Sequence, residues 1–117
     1  MPRDPQKYLY DMLDSCRFLV QFTAGRGPDD LRTDGPFRAA IEREWQIISL
    51  ALIALSKIAP QVAEAFPERD GIVRFRHILV HGYDSLDYDV VWSIVHNKLP
   101  SLEADIERTL KSLDKSG

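Results

Sequence analysis

DGPFRAAIEREWQIISLALIALSKIAP, residues 34–60, decides the fold. Asp34 or Thr33 can accept free backbone N–H groups at a helix start, and Pro36 suits the first turn because its missing N–H would have no partner there. Phe37, Ile41, Trp45 and Ile48 then recur at helical spacing, and from Ile47 to Leu55 the apolar run is broken only by Ser49. A helix to about Ile58, ended by Pro60, is expected, with its second half the most buried segment of the chain.

The same signals recur outward from this helix. Asp4 followed by Pro5 starts one in which Tyr8, Leu9, Met12, Leu13, Cys16, Leu19 and Val20 share a face until Gly25, giving a helix over about 5–24. A Gly, Pro and Asp-rich loop follows, with one helical turn near Asp29 to Arg32. After Pro60 a short helix is expected over Gln61 to Phe66, then a third main helix capped by Asp70 and running to Gly82. A loop at Asp84 to Asp87 precedes a fourth helix from Tyr88 to Asn97, with Val91, Trp92 and Val95 inward. Pro100 opens a closing helix through Leu102, Ile106, Leu110 and Leu113. No stretch alternates with the period of a strand. The expectation is an all-α up-and-down bundle of four main helices plus short ones, in a single domain over 1–117.

Composition narrows the function. The 117 residues are 44% hydrophobic and 28% charged, an ordinary globular balance. No apolar run approaches the roughly 20 residues of a membrane span, and the first residues lack the pattern of a secretory signal, so a cytoplasmic location is expected. The single cysteine, Cys16, allows no internal disulfide and reads as a small buried group. A net charge of −3 argues against coating nucleic acid through overall charge. Positive charge is nonetheless focused: between Arg69 and His81 stand three arginines and two histidines against one acid, Asp70.

That focus centres on Arg74-Phe75-Arg76-His77-Ile78-Leu79-Val80-His81-Gly82-Tyr83. On an ideal helix Ile72, Val73, Phe75, Leu79 and Val80 span an arc of roughly 160°, and Arg76 falls inside it. A buried arginine keeps its charge and needs acceptors. Glu42 or Glu44 could supply them, making Arg76 a structural tie; a phosphate would make it functional. His81 lies about 140° around the helix from Arg76, so the two converge only if the helix end distorts or a twofold dimer brings copies together. A histidine near neutrality beside a fixed cation suits RNA transesterification, the imidazole moving a proton and the guanidinium meeting charge on phosphate. His77 and His81 are four apart, but two ligands make no metal site, and none is expected. His96 reads as a surface residue, and the Asp84, Asp87 and Asp89 cluster as caps and solvated acids.

Arg76 through Tyr83 has the form R-x4-H-x-Y, which resembles the signature of the HepT-like toxins, a branch of the HEPN superfamily of helical bundles. Arg3-Asp4 with Tyr8-Leu9 and Asp11, Ala40-Ile41-Glu42-Arg43 with Ile47-Ile48, and Val91-Trp92 with Val95 and Leu99-Pro100 agree with it. The chain departs from the family pattern at Glu44, where relatives commonly carry Asn, and at Ser49-Leu50-Ala51, where they carry Gly-Glu-Ala. The resemblance implies a homodimeric, metal-independent endoribonuclease toxin without a cofactor. Arg76 and His81 of both chains would line the cleft as the catalytic groups; Arg74 and His77, read from their place on the helix, are supporting or merely exposed. It also implies a minimal nucleotidyltransferase antitoxin able to transfer AMP to Tyr83. The alternative is a non-catalytic helical partner that binds a nucleotide or regulates a nucleotidyltransferase.

Overall fold

In the computed structural model, residues 4–81 and 87–116 are described, with side-chain placement for all of these except 80, 81, 115 and 116. Six helices follow one another among them: α1 (Pro5–Thr23), α2 (Pro28–Thr33), α3 (Gly35–Ile58), α4 (Pro60–Ala63), α5 (Arg69–His81) and α6 (Tyr88–Ser116). Four are long, two are single turns or little more, and no strand occurs among the described residues. The fold is the all-α bundle the periodicity predicts.

The helix starts obey the local rules. The Asp4 carboxylate accepts from the Gln6 N–H at 2.9 Å, with Pro5 as the first helical residue of α1. Asp34 accepts from the Phe37 N–H at 3.0 Å and so caps α3 ahead of Pro36. Asp87 accepts from the N–H groups of Asp89 and Val90 at the start of α6. Gly25 lies just past the end of α1 at φ +74°, where a side chain would strain the backbone.

Packing then joins the elements. A continuous core runs from Leu9, Met12, Cys16 and Leu19 of α1, through Ile41, Trp45, Ile48, Leu52 and Leu55 of α3, to Val95, Leu99 and Ile106 of α6. Leu31 of α2 and Val62 of α4 close its ends. Arg17 of α1 pairs with Glu107 of α6 at 3.1 Å, a surface contact worth little beside the apolar burial. The Cys16 thiol donates to the Leu99 carbonyl at 3.3 Å, and burial pushes its pKa up to about 12, so it stays a neutral packing group.

Four expectations need correction. The fourth and closing helices are one 29-residue helix with Pro100 in its interior. Pro100 removes the N–H that would bond the His96 carbonyl, at a cost of about 3 kcal/mol. Against this, Val91, Val95, Leu99, Leu102, Ile106 and Leu110 form one buried stripe through the proline, and burying each such side chain contributes roughly 1.5–3 kcal/mol. Burial on both sides of the proline therefore holds the helix in one piece. Pro100→Ala is expected to raise stability by about 1–2 kcal/mol, the regained hydrogen bond less the greater freedom of the unfolded chain, as read by urea denaturation.

The second correction concerns α3. Its second half is not buried all round, because Leu50 and Ile53 are 51% and 37% exposed. The bundle covers one side of this half and leaves the other to solvent. Third, α5 starts one residue before Asp70, which sits in its first turn; the expected end at Gly82 lies outside the described residues. Fourth, the short helix expected over Gln61 to Phe66 is Pro60–Ala63.

Candidate active site

Helix α5 carries the polar cluster, and α3 sets its position. Trp45 is fully buried, meets the Phe75 ring edge-on at 5.1 Å between centroids, and donates its indole N–H to the Ile72 carbonyl at 2.9 Å. Ile72 stands one turn before Arg76. Ile72, Phe75 and Leu79 point into the core at 5%, 4% and 1% exposure, which fixes the rotation of α5 about its axis. Lys98 of α6 pairs with Glu68 immediately before α5 and holds that end as well.

This rotation half-buries Arg76, as the helical arc predicts. Its Nε is buried and has no hydrogen-bond partner. Neither Glu42 nor Glu44 pairs with it, so the helix-to-helix tie considered from sequence is not formed. Burial raises the Glu42 carboxyl above its ordinary pKa, with Arg38 opposing that shift. A buried donor without an acceptor costs about 1–3 kcal/mol, more when the group is charged. The residue is retained on the core side of α5 despite that cost. The side chain as a whole is only half-buried, and a phosphate oxygen is one acceptor its guanidinium could meet.

The remaining motif residues separate by position. Arg74 and His77 are exposed on the outer side of α5. They share one wall of a groove of about 570 Å³ between α3 and α5, whose opposite wall includes Ile53 and Lys57. His77 already has an interaction of its own. Arg74 also borders a second groove of about 340 Å³, floored by Trp45, Phe75 and Ile94. His81 ends α5 as a backbone position, and Tyr83 lies outside the described residues. Among the described residues, no three His, Cys, Asp or Glu side chains cluster closely enough to hold a metal ion.

Three contributions carry no motif signal. Trp45 positions α5 through a backbone carbonyl, an acceptor that every residue possesses. Lys57 joins the groove only through tertiary packing. Ser49, visible in sequence as the one break in the apolar run, is fully buried with its hydroxyl unpartnered, the second such atom beside Arg76 Nε. Leu50 is half exposed and offers no polar group.

Comparison with known proteins places these features in a family. The profile described as ribonuclease HepT-like matches residues 12–109. A candidate RNase of Methanocaldococcus jannaschii is 29% identical over 115 residues, covering 97% of this chain and 94% of that protein. A candidate RNase of Caldanaerobacter subterraneus is 27% identical, covering 93% of this chain and 96% of its own length. A protein named probable ribonuclease HepT in Thermococcus cleftensis is 27% identical over 95% of this chain and its own full length. No solved structure matches the chain significantly. Among the described residues, no helix is long and apolar enough to cross a membrane.

Proposed function

Because this chain belongs to the ribonuclease HepT-like family, we propose that it is a single-domain, metal-independent endoribonuclease, the toxin of a toxin–antitoxin pair. The observation that carries this reading is Arg76: a half-buried, permanently charged side chain with an unsatisfied Nε and, among the described residues, no carboxylate partner. A phosphodiester supplies the missing acceptor and the opposite charge.

The reaction is transesterification. An imidazole at His81 takes the proton from a ribose 2′-OH, and the 2′ oxygen attacks the adjacent phosphorus. The P–O5′ bond breaks, the departing oxygen gains a proton from a second, protonated histidine, and a 2′,3′-cyclic phosphate and a 5′-OH result. Arg76 holds the negative charge that grows on the phosphoryl oxygens. A homodimer supplies both histidines. Its support is the helical offset of about 140° between Arg76 and His81, which two α5 helices across a twofold axis overcome. Ile78, 44% exposed on the motif helix, gives that contact an apolar element. Arg74 and His77 on the outer side of α5 are supporting groups.

Tyr83, two residues beyond His81, is the site at which a minimal nucleotidyltransferase antitoxin would attach AMP. The added phosphate places negative charge and bulk beside the motif and repels RNA. Incubation with ATP and such an enzyme is expected to raise the mass of the intact chain by AMP units. Tyr83→Phe is expected to abolish that gain while RNA cleavage persists. A mass gain that survives Tyr83→Phe removes Tyr83 from this role. Cleavage itself is tested on purified protein with RNA in chelator: loss with Arg76→Ala or His81→Ala supports the assignment, and survival in the double variant contradicts it.

A further inference from the structure

The groove between α3 and α5 gathers several cations beside an apolar surface. Elsewhere Lys7, Arg17, Arg26, Arg32, Lys98 and Arg108 each pair with a carboxylate. At the groove, Lys57 and Arg74 have none among the described residues, although the chain as a whole is acidic. Arg69, also in the wall, donates to the Phe66 carbonyl at 3.1 Å and so is spent on the turn before α5. Among the described residues Arg38, Arg43, Arg76 and Lys111 also lack a carboxylate partner, Arg38 donating to the Leu31 carbonyl at 2.8 Å, but none of the four borders these grooves beside α5. Asp70 is the single acid in the wall.

The apolar part of the groove is formed by Leu52, Ile53 and Val73. Two free cations above an apolar floor fit a strand that offers phosphates and unstacked base faces together. A duplex, with its bases paired and stacked inside, has no face to offer that floor.

Direction follows from the helix. Asp70, Arg74 and His77 lie on one stripe of α5 at spacings of four and three, and His81 is the next position four residues on. From Asp70 to His81 the stripe rises about 16 Å, room for a short run of nucleotides. Arg76 lies off this stripe, on the core side.

We propose that the α3–α5 groove is the track for the single-stranded RNA flanking the scissile phosphate, with Lys57 and Arg74 each holding a backbone phosphate and Ile53 and Val73 lying against a base or ribose. The proposal rests on the ribonuclease reading and adds positioning residues to it.

The test uses the full-length chain and a fluorescein-labelled, mixed-sequence, single-stranded 2′-O-methyl RNA, which lacks the attacking hydroxyl and cannot be cut. Binding is followed by anisotropy over a range of salt concentrations. For the Lys57→Gln, Arg74→Gln double variant, affinity is expected to fall about tenfold. The slope of log affinity on log salt is expected to fall by about 1.4, or 0.7 for each lost phosphate contact. Lys111→Gln, a cation on the outside of α6, should bind as the unaltered protein does. Unchanged affinity and slope in the double variant, with binding intact in the unaltered protein, overturns the track and leaves the ribonuclease reading standing. Absence of salt-dependent RNA binding in the unaltered protein overturns both. A change in sedimentation of the double variant, with RNA binding unchanged, would assign the groove to a second copy of the chain and equally overturn the track.

Discussion

Replacing His81 or Arg76 with alanine is expected to lower RNA cleavage by about 10²–10⁴-fold, the range in which a positioned proton-transfer or charge-stabilising group acts. Arg76→Lys should recover little of the loss, since an ammonium cannot present the planar pair of donors that a guanidinium offers a phosphate. Stability distinguishes this account from a structural role for the arginine. The Arg76 Nε is buried without a partner and, among the described residues, no carboxylate meets the side chain, so removal forfeits no ion pair there. Arg76→Met, which keeps an apolar stem of similar length, is therefore expected to stabilise the fold by about 1–2 kcal/mol while cleavage is lost. A residue present to tie α5 to α3 would give the opposite sign in urea denaturation.

The second large effect is at Trp45. The indole is fully buried, packs edge-on against Phe75 and donates to the Ile72 carbonyl. Trp45→Ala is expected to destabilise the protein by about 3–5 kcal/mol through the cavity it leaves. For a domain whose total stability is roughly 5–15 kcal/mol, that leaves little margin. Trp45→Phe keeps most of the volume but removes the second donor to the Ile72 carbonyl, which still accepts the Arg76 N–H within α5, and should cost about 0.5–1.5 kcal/mol. Both variants loosen the turn of α5 just before Arg76, so cleavage by the folded fraction should fall as well. Denaturation read by circular dichroism, paired with cleavage rates normalised to folded protein, separates the two effects.

Much of this architecture is legible because its determinants are local. Asp4 with Pro5 and Asp34 with Pro36 cap helices through neighbours in sequence, and the arc that half-buries Arg76 follows from helical period alone. Pro100 is misleading for the same reason. Its local chemistry says that a helix starts there, whereas the buried stripe from Val91 to Leu110 keeps α6 continuous through contacts with distant residues. Leu50 and Ile53 show the complementary failure: apolar residues on all sides of a helix do not reveal which side the bundle leaves uncovered. The Trp45 to Ile72 bond is silent because a backbone carbonyl has no side-chain signature. Lys57 becomes part of the site only when α3 and α5 are packed together. The roles proposed for His81 and Tyr83 rest on the motif alone, whereas the surroundings of Arg76 are explicit.

The most direct measurement of the central claim is cleavage of single-stranded RNA by the purified chain, free of any partner and in excess chelator, with the fragment ends analysed. Fragments ending in 2′,3′-cyclic phosphate and 5′-OH are expected, and none from the protein carrying both Arg76→Ala and His81→Ala. Intact dimer that leaves RNA uncut, or fragments that persist undiminished in the double variant, would contradict the claim.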